Sequence, residues 1–313
     1  MSSSPRLVFM GTADLAATVL SRLADSFPGQ VLGVVSQPDR PKGRDLQWSP
    51  TPVKAEAMRR GLPVWQPEKA RSLEFQAQLR ELKPDLLVVA AYGQLLPPSL
   101  LEIPRLGCLN VHTSLLPRWR GAAPIQWAIA TGDAVTGVTL MRMDAGLDTG
   151  PMLASCTTKI EDADTGQTLH DRLARLGGDL LVESLPAYFA GQLLAQAQPL
   201  EGVTYARKIT RDEGRVDWTQ SADVLWRRLR AFTPWPGTFA FLPGEPKPKL
   251  LKIHAAVPTS GRGQPGSVLS TDKSGLEIAC GQGALRITAL QVEGGKRLNI
   301  AQFLAGHRVT CLE

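Results

Sequence analysis

The sequence predicts an α/β domain built on a mostly parallel sheet, followed by a small β-barrel, and three observations carry that reading. Near the front, the apolar runs RLVFM (6–10) and QVLGVVS (30–36) flank LAATVLSRLADS, whose apolar residues recur at helical spacing, giving a β-α-β opening. The run DLLVVAAYG (85–93) is almost wholly apolar, as befits a strand covered on both faces. Beyond Thr204 the short runs PWPGTFAFL, LLKIHAAV, GSVLS, GLEIACG and ALRITALQV are separated by Gly/Pro turns, a spacing that suits a small barrel.

At 313 residues and 43% hydrophobic content the chain can bury a full core, and its length suggests two domains. The net charge of +6 leans toward an anionic partner. No apolar run has the pattern of a leader or the length of a membrane span, so neither is expected, and the expected compartment is the cytoplasm. The four cysteines (108, 156, 280 and 311) form no CxxC pair and read as reduced thiols, not as disulfides or zinc ligands.

In chain order, Gly11 ends the first strand alone. Without GxGxxG it is a turn glycine and gives no ground for a dinucleotide cofactor. The stretch QPDRPKGRDLQWSPTPVK (37–54) is long, charged and aperiodic. It reads as a basic flap closing on an anion, with Arg40, Lys42, Arg44 and Lys54 as cations and Trp48 as a stacking group. AEAMRRGLPVWQP then gives a helix and a short strand, and Ser72–Leu82 a further helix.

The centre of the chain is GCLNVHTSLLPRWRGAAPIQ (107–126). CLNV is a buried strand on which Asn110 and His112, two residues apart, share a face at its carboxyl end. A Ser-Leu-Leu-Pro turn, a basic patch (Arg118, Arg120), Gly121 and a helix over AAPIQWAIA follow. TGVTLMRM (136–143) is expected as a parallel neighbour of the central strand, leading into DAGLDTGPML. Helical periodicity runs from Thr165 to Leu194 and ends in a polar Gly/Gln-rich run. This places a catalytic domain at 1–190, a linker at 191–206 and a barrel domain at 207–313. The barrel domain opens with a helix over VDWTQSADVLWRRLRAF carrying Arg227, Arg228 and Arg230. Lys247, Lys249, Lys252, Arg286, Lys296 and Arg297 spread further positive charge.

Asn110, His112 and Asp148 combine an amide donor, an imidazole and a carboxylate. Parallel neighbouring strands would bring the Asp148 loop to His112. That set suits acyl transfer between amines: Asn110, with protonated His112 as a second donor, holds a developing oxyanion, and the imidazole, with Asp148, moves a proton from the attacking to the leaving nitrogen. GxSxG is absent, which favours direct attack without a covalent enzyme intermediate. The four histidines (112, 170, 254 and 307) show no HxH or HExxH spacing, so no metal is expected.

NVHTSLLPRWRGAAPIQWAI together with MDAGLDTGP resembles the folate-dependent formyltransferases. With QPDRPKGR near the front and the basic β-rich tail, the resemblance covers essentially the whole chain. It implies a Rossmann-like amino-terminal domain holding 10-formyltetrahydrofolate as formyl donor, and a carboxy-terminal OB-like barrel that binds tRNA. It further implies Asn110, His112 and Asp148 as the catalytic set. Ser114, Leu115, Leu116 and Pro117 would line the folate site, with Val89 and Tyr92 behind the pterin. The flap residues Arg40, Lys42, Arg44 and Trp48 would reach the acceptor end of methionyl initiator tRNA, Arg44 being the key cation. Members of the family often carry lysines after the GR pair, where this chain has Asp45, Leu46, Gln47 and Trp48. Weaker phosphate contact is expected, offset by stacking of Trp48. A monomer is expected. The alternative is a formyltransferase acting on a small amine such as an amino-sugar nucleotide, which would require neither a long flap nor a basic barrel.

Overall fold

The computed structural model describes residues 4–42, 47–244 and 247–313. They divide into two compact units. The first takes in the chain up to Pro124, Val135–Lys159 and His170–Arg207; the second takes in Ile125–Ala134, Ile160–Leu169 and Lys208–Glu313. No helix among the described residues is long and apolar enough to cross a membrane.

The chain opens with β1 (Leu7–Gly11), α1 (Asp14–Ser26) and β2 (Val31–Val35), as the periodicity predicts. The next stretch is more ordered than an aperiodic loop. Residues Arg40–Lys42 (β3) and Gln47–Ser49 (β4) pair antiparallel. Thr51 then caps α2 (Pro52–Arg59) by accepting from the Lys54 amide, with Pro52 preset for a first helical turn. Lys54, expected as a flap cation, belongs to that helix and is paired to Asp39 at 2.5 Å. Arg44 lies outside the described residues.

Then come β5 (Val64–Trp65), α3 (Leu73–Glu81, capped by the Ser72 hydroxyl), β6 (Leu86–Ala90), α4 (Pro98–Leu101) and the central strand β7 (Cys108–His112). They are followed by β8 (Arg120–Gly121), α5 (Pro124–Thr131), β9 (Val135–Arg142), β10 (Met152–Lys159), α6 (Gly166–Phe189) and β11 (Tyr205–Ala206).

These strands make a seven-stranded sheet in the order β10-β9-β7-β6-β1-β2-β5. From β7 across to β5 every pairing is parallel. β1 and β6 are buried along their whole length, which is why they read as continuous apolar runs. The chain reverses its direction of winding between β1 and β6, the position where open α/β sheets leave a crevice beyond the strand ends. On β7, Val111 faces α6 across Gly177, where a Cβ would stand 2.7 Å from a Val111 methyl. Glycine there lets the helix sit close on the strand that carries Asn110 and His112.

One expectation is corrected. β9 runs antiparallel to β7, with His112 opposite Thr139 and Leu109 opposite Arg142. Hydrophobic period identifies a strand but carries no direction. A second difference concerns 191–206, expected as a linker. Gln196 bridges Met152, and β11 pairs with β8, so this stretch is hydrogen-bonded into the first unit.

In the second unit, α7 spans Ala222–Ala231, shorter than the predicted helix. Asp217 accepts from the Thr219 amide and hydroxyl and from Gln220, making a turn, and Ser221 then caps the helix at the Val224 amide. β12 (Thr238–Leu242), β13 (Lys249–Thr259), β14 (Val268–Asp272), β15 (Gly275–Ala279), β16 (Ala284–Val292) and β17 (Leu298–Asn299) form an antiparallel sheet, and α8 (Ile300–Leu304) follows. The carboxyl-terminal segment joins its two edges. Phe241 of β12 exchanges two backbone hydrogen bonds with Glu313, while Leu312 and Val268 bond across to Gly266 and Thr310. That closure covers both exposed strand edges. The core inside comprises Leu251, Ile253, Leu276, Ile278, Leu285, Ile287 and Leu290 with Leu225 and Leu229 of α7.

Candidate active site

At the carboxyl ends of β6 and β7 lies a pocket of about 460 Å³. Its wall includes Val89, Tyr92, Asn110, His112, Thr113, Gly121, Met141 and the loop 143–148. Val89 and Tyr92, expected at the folate site, and the trio Asn110, His112 and Asp148 therefore all line one cavity.

Asn110 and His112 share a face of β7, as strand alternation requires. Asp148 arrives by a different route from the expected one. Because β9 is antiparallel, its end lies beside the start of β7, where the Met143 amide donates to the Cys108 carbonyl. The loop between β9 and β10 then folds back along the sheet edge and delivers Asp148 beside the strand's carboxyl end. One carboxylate oxygen accepts from the Gly121 amide at 2.8 Å and stands 3.7 Å from His112 Nδ1. The other is 3.5 Å from Asn110 Nδ2.

His112 is buried, and its Nε2 lies 2.9 Å from the Trp119 carbonyl oxygen. A carbonyl can only accept, so Nε2 donates and carries a proton, and Nδ1 is the nitrogen that faces Asp148. The carbonyl is aimed by an unusual backbone: Trp119 sits at φ +63°. Gly121 is needed twice over, since its φ is +115° and a Cβ there would meet the Ala206 carbonyl oxygen at 2.7 Å. Neither the Trp119 carbonyl nor the Gly121 amide was among the expected site groups, because backbone groups leave no mark in residue identity.

Other expected residues fall elsewhere. Ser114, Leu115, Leu116 and Pro117 do not line the pocket. Ser114 is fully buried, its hydroxyl donating to the Arg118 carbonyl at 2.6 Å. Thr139 donates to the Ser114 carbonyl and accepts from the Leu116 amide, so the segment ties β7 to β9. Leu116 is buried, while Leu115 and Pro117 are half-buried. The basic patch also dissolves: Arg120 is buried with its guanidinium on Gln198, and Arg118 stacks over the Trp119 ring at 4.5 Å. Cys108, two residues before Asn110, is no nucleophile, since burial pushes its thiol up to about 12. Among the described residues no group of three or more His, Cys, Asp or Glu side chains is placed to hold a metal ion.

Of the flap residues, Trp48 is 73% exposed, and Arg40 is exposed on the paired β3 and β4 strands. Lys42 contributes its backbone to β3. In the second unit Arg286 is engaged by Asp272 and Glu277, Arg228 by Glu213, and Arg230 by the carbonyls of Glu161 and Asp162. These arginines hold the unit together and are not idle surface charges.

A family model described as formyl transferase matches residues 5–185, and one described as formyl transferase, C-terminal domain matches 208–308. A methionyl-tRNA formyltransferase of Myxococcus xanthus is 52% identical over 98% of this chain and 96% of its own. One of Pseudomonas syringae pv. tomato is 51% identical with the same coverage. Among solved structures, an N-formyltransferase from Helicobacter canadensis in complex with folinic acid and dTDP-3-aminofucose superposes at a TM-score of 0.66. It is 17% identical over 90% of this chain and 98% of its own. HypX from Aquifex aeolicus with tetrahydrofolic acid superposes at 0.64, with 20% identity over 96% of this chain and 47% of its own. At those identities the structural likeness speaks for the fold alone.

Proposed function

The chain belongs to the formyl transferase family, and within it we propose that it transfers the formyl group of 10-formyltetrahydrofolate to the α-amino group of methionyl initiator tRNA. The observation that carries this reading is 52% identity, over nearly the full length of both chains, to a methionyl-tRNA formyltransferase. The geometry of the pocket supports the chemistry.

The amine attacks the formyl carbon directly, and a tetrahedral oxyanion forms. Asn110 Nδ2, the amide donor on the pocket wall, stabilises that oxygen. The attacking nitrogen must lose a proton and the folate nitrogen must gain one as the C–N bond breaks. His112 Nδ1 is the free position on a ring whose other nitrogen is already committed to Trp119, so it takes the first proton and returns it to the leaving nitrogen. Asp148, 3.7 Å away and itself anchored on the Gly121 amide, steadies the imidazolium between those events. Val89 and Tyr92 form the apolar side of the pocket, where a planar ring fits. The exposed Trp48 and Arg40 are proposed to meet the tRNA end, Trp48 by stacking and Arg40 by phosphate contact, and Lys42 and Arg44 are proposed as further cations for the same partner.

The test is formyl transfer from 10-formyltetrahydrofolate to methionyl initiator tRNA, beside free methionine and an amino-sugar nucleotide. Transfer to the charged tRNA alone is expected. Transfer to the amino-sugar nucleotide with the tRNA inert would overturn the substrate and leave the pocket chemistry standing.

A further inference from the structure

We propose that Gln198 is a positioning residue for Asp148, and that it acts as a clamp fastened at one end to Arg120 and at the other to the turn that presents the carboxylate. The proposal rests on the catalytic reading of Asp148 given above.

Asp148 is hard to hold in place. It lies at φ +52°, in the left-handed region that a residue other than glycine seldom occupies. The preceding loop residues Asp144–Leu147 are exposed, and their order comes from local bonds, the Gly146 amide and Thr149 hydroxyl both donating to Asp144. The carboxylate itself has one short anchor, the Gly121 amide.

Gln198 supplies the missing restraint on the main chain. Its Nε2 donates to the carbonyls of Asp148 and Gly150, both at 2.8 Å. Its Oε1 accepts from Arg120 Nε at 3.0 Å and Nη2 at 2.7 Å. Both amide hydrogens and both oxygen lone pairs are thereby used, and the orientation is unambiguous: reversing the amide would set its oxygen against two carbonyls and its hydrogens against a guanidinium. Arg120 is buried and precedes Gly121. Asp148 is thus gripped twice by adjacent residues, by its carboxylate through the Gly121 amide and by its backbone through the Gln198–Arg120 pair. The bridge between Gln196 and Met152 fixes the approach of the Gln198 segment.

Gln198→Glu separates the two ends of the clamp. Glutamate keeps the bond to Arg120, now as an ion pair, but has no hydrogens for the Asp148 and Gly150 carbonyls and repels them. The expected result is a melting temperature close to that of the parent and a kcat lower by on the order of 10–100-fold, with KM for both substrates little moved. Gln198→Ala is then placed on an Asp148→Ala background. If Gln198 works through Asp148, the second substitution costs about twofold or less there, although it costs far more alone. A Gln198→Glu enzyme with parental kcat, or a Gln198→Ala penalty that multiplies fully on the Asp148→Ala background, overturns the proposal. Near-normal turnover by Asp148→Ala alone overturns both the clamp and the catalytic reading. A crippled Asp148→Ala beside a normal Gln198→Glu removes the clamp only.

Discussion

In the first unit, Lys83, Ala91, Trp119 and Asp148 adopt positive φ without being glycine, at +44°, +41°, +63° and +52°, and all but the exposed Lys83 stand at or beside the pocket. Among the described residues of the second unit, the positive-φ positions are glycines, such as Gly237, Gly266 and Gly283. Buried polar side chains are concentrated around β7, where His112, Thr113, Ser114, Arg120 and Thr139 lie, whereas the second unit closes an apolar core with Asp164 and Thr238 among its buried polar side chains. Unfavourable backbone persists where surrounding bonds over-determine it, and at Ala91, Trp119 and Asp148 those bonds lie around a cavity.

The largest break in that contrast is His112→Ala. Removing the proton carrier should lower kcat by about 10²–10⁴-fold, the usual worth of general acid–base catalysis, with folate binding largely kept. Single-turnover formyl transfer beside equilibrium folate binding measures both quantities. Near-normal turnover would strip His112 of its role. Asn110→Ala should follow, at about 10²–10³-fold in kcat, the cost of one oxyanion donor. A loss appearing wholly in KM would instead make Asn110 a ground-state binding group.

The second unit should respond in stability and not in chemistry. A Cβ at Gly281 would meet the Thr219 carbonyl oxygen at 1.8 Å, where two backbone hydrogen bonds tie Gly281 to Trp218 and Gln220. Gly281→Ala should destabilise by about 1–3 kcal/mol, the cost of forcing extra volume into a packed site. Calorimetry should show the loss, while folate binding to the folded protein stays at the parental level. A parental melting temperature would show that the Thr219–Ser221 turn can yield.

Much of this division was legible beforehand. Alternation on CLNVH put Asn110 and His112 on one face, and the apolar runs marked β1, β2 and β6. The position of Asp148 near them was anticipated for the wrong geometric reason: a period of two cannot distinguish parallel from antiparallel, and β9 runs opposite to the expected direction. Gln198 was illegible, since its partners are 78, 50 and 48 residues away and its neighbours have the composition of a linker. Whether an apolar turn such as SLLP packs inward or faces a ligand is not written in its residue types. The Trp119 carbonyl and the Gly121 amide belong to the backbone, which sequence motifs do not display.

The smallest expected effect is electrostatic and lies entirely in the second unit. Glu277 accepts from the Thr259 hydroxyl at 2.6 Å, from Arg286 Nη2 at 3.0 Å and from Ser270 at 3.0 Å. The Thr259 bond first, and then Arg286 and Ser270, hold its carboxyl below the ordinary 4.5. A carboxyl whose folded pKa is depressed stabilises the fold fully above its unfolded pKa and loses that contribution as pH falls through the folded value. Stability of the second unit should therefore decline on acidification below about pH 4.5, and Glu277→Gln should make that decline shallower while leaving the pH dependence of formyl transfer untouched. Thermal melts from pH 7 to pH 3 decide it. An unchanged acid limb would mean that the Glu277 network is as accessible to protons folded as unfolded. A shifted activity profile would mean that the charge of the second unit reaches the chemistry of the first, and the separation between the two units would fail at its weakest interaction.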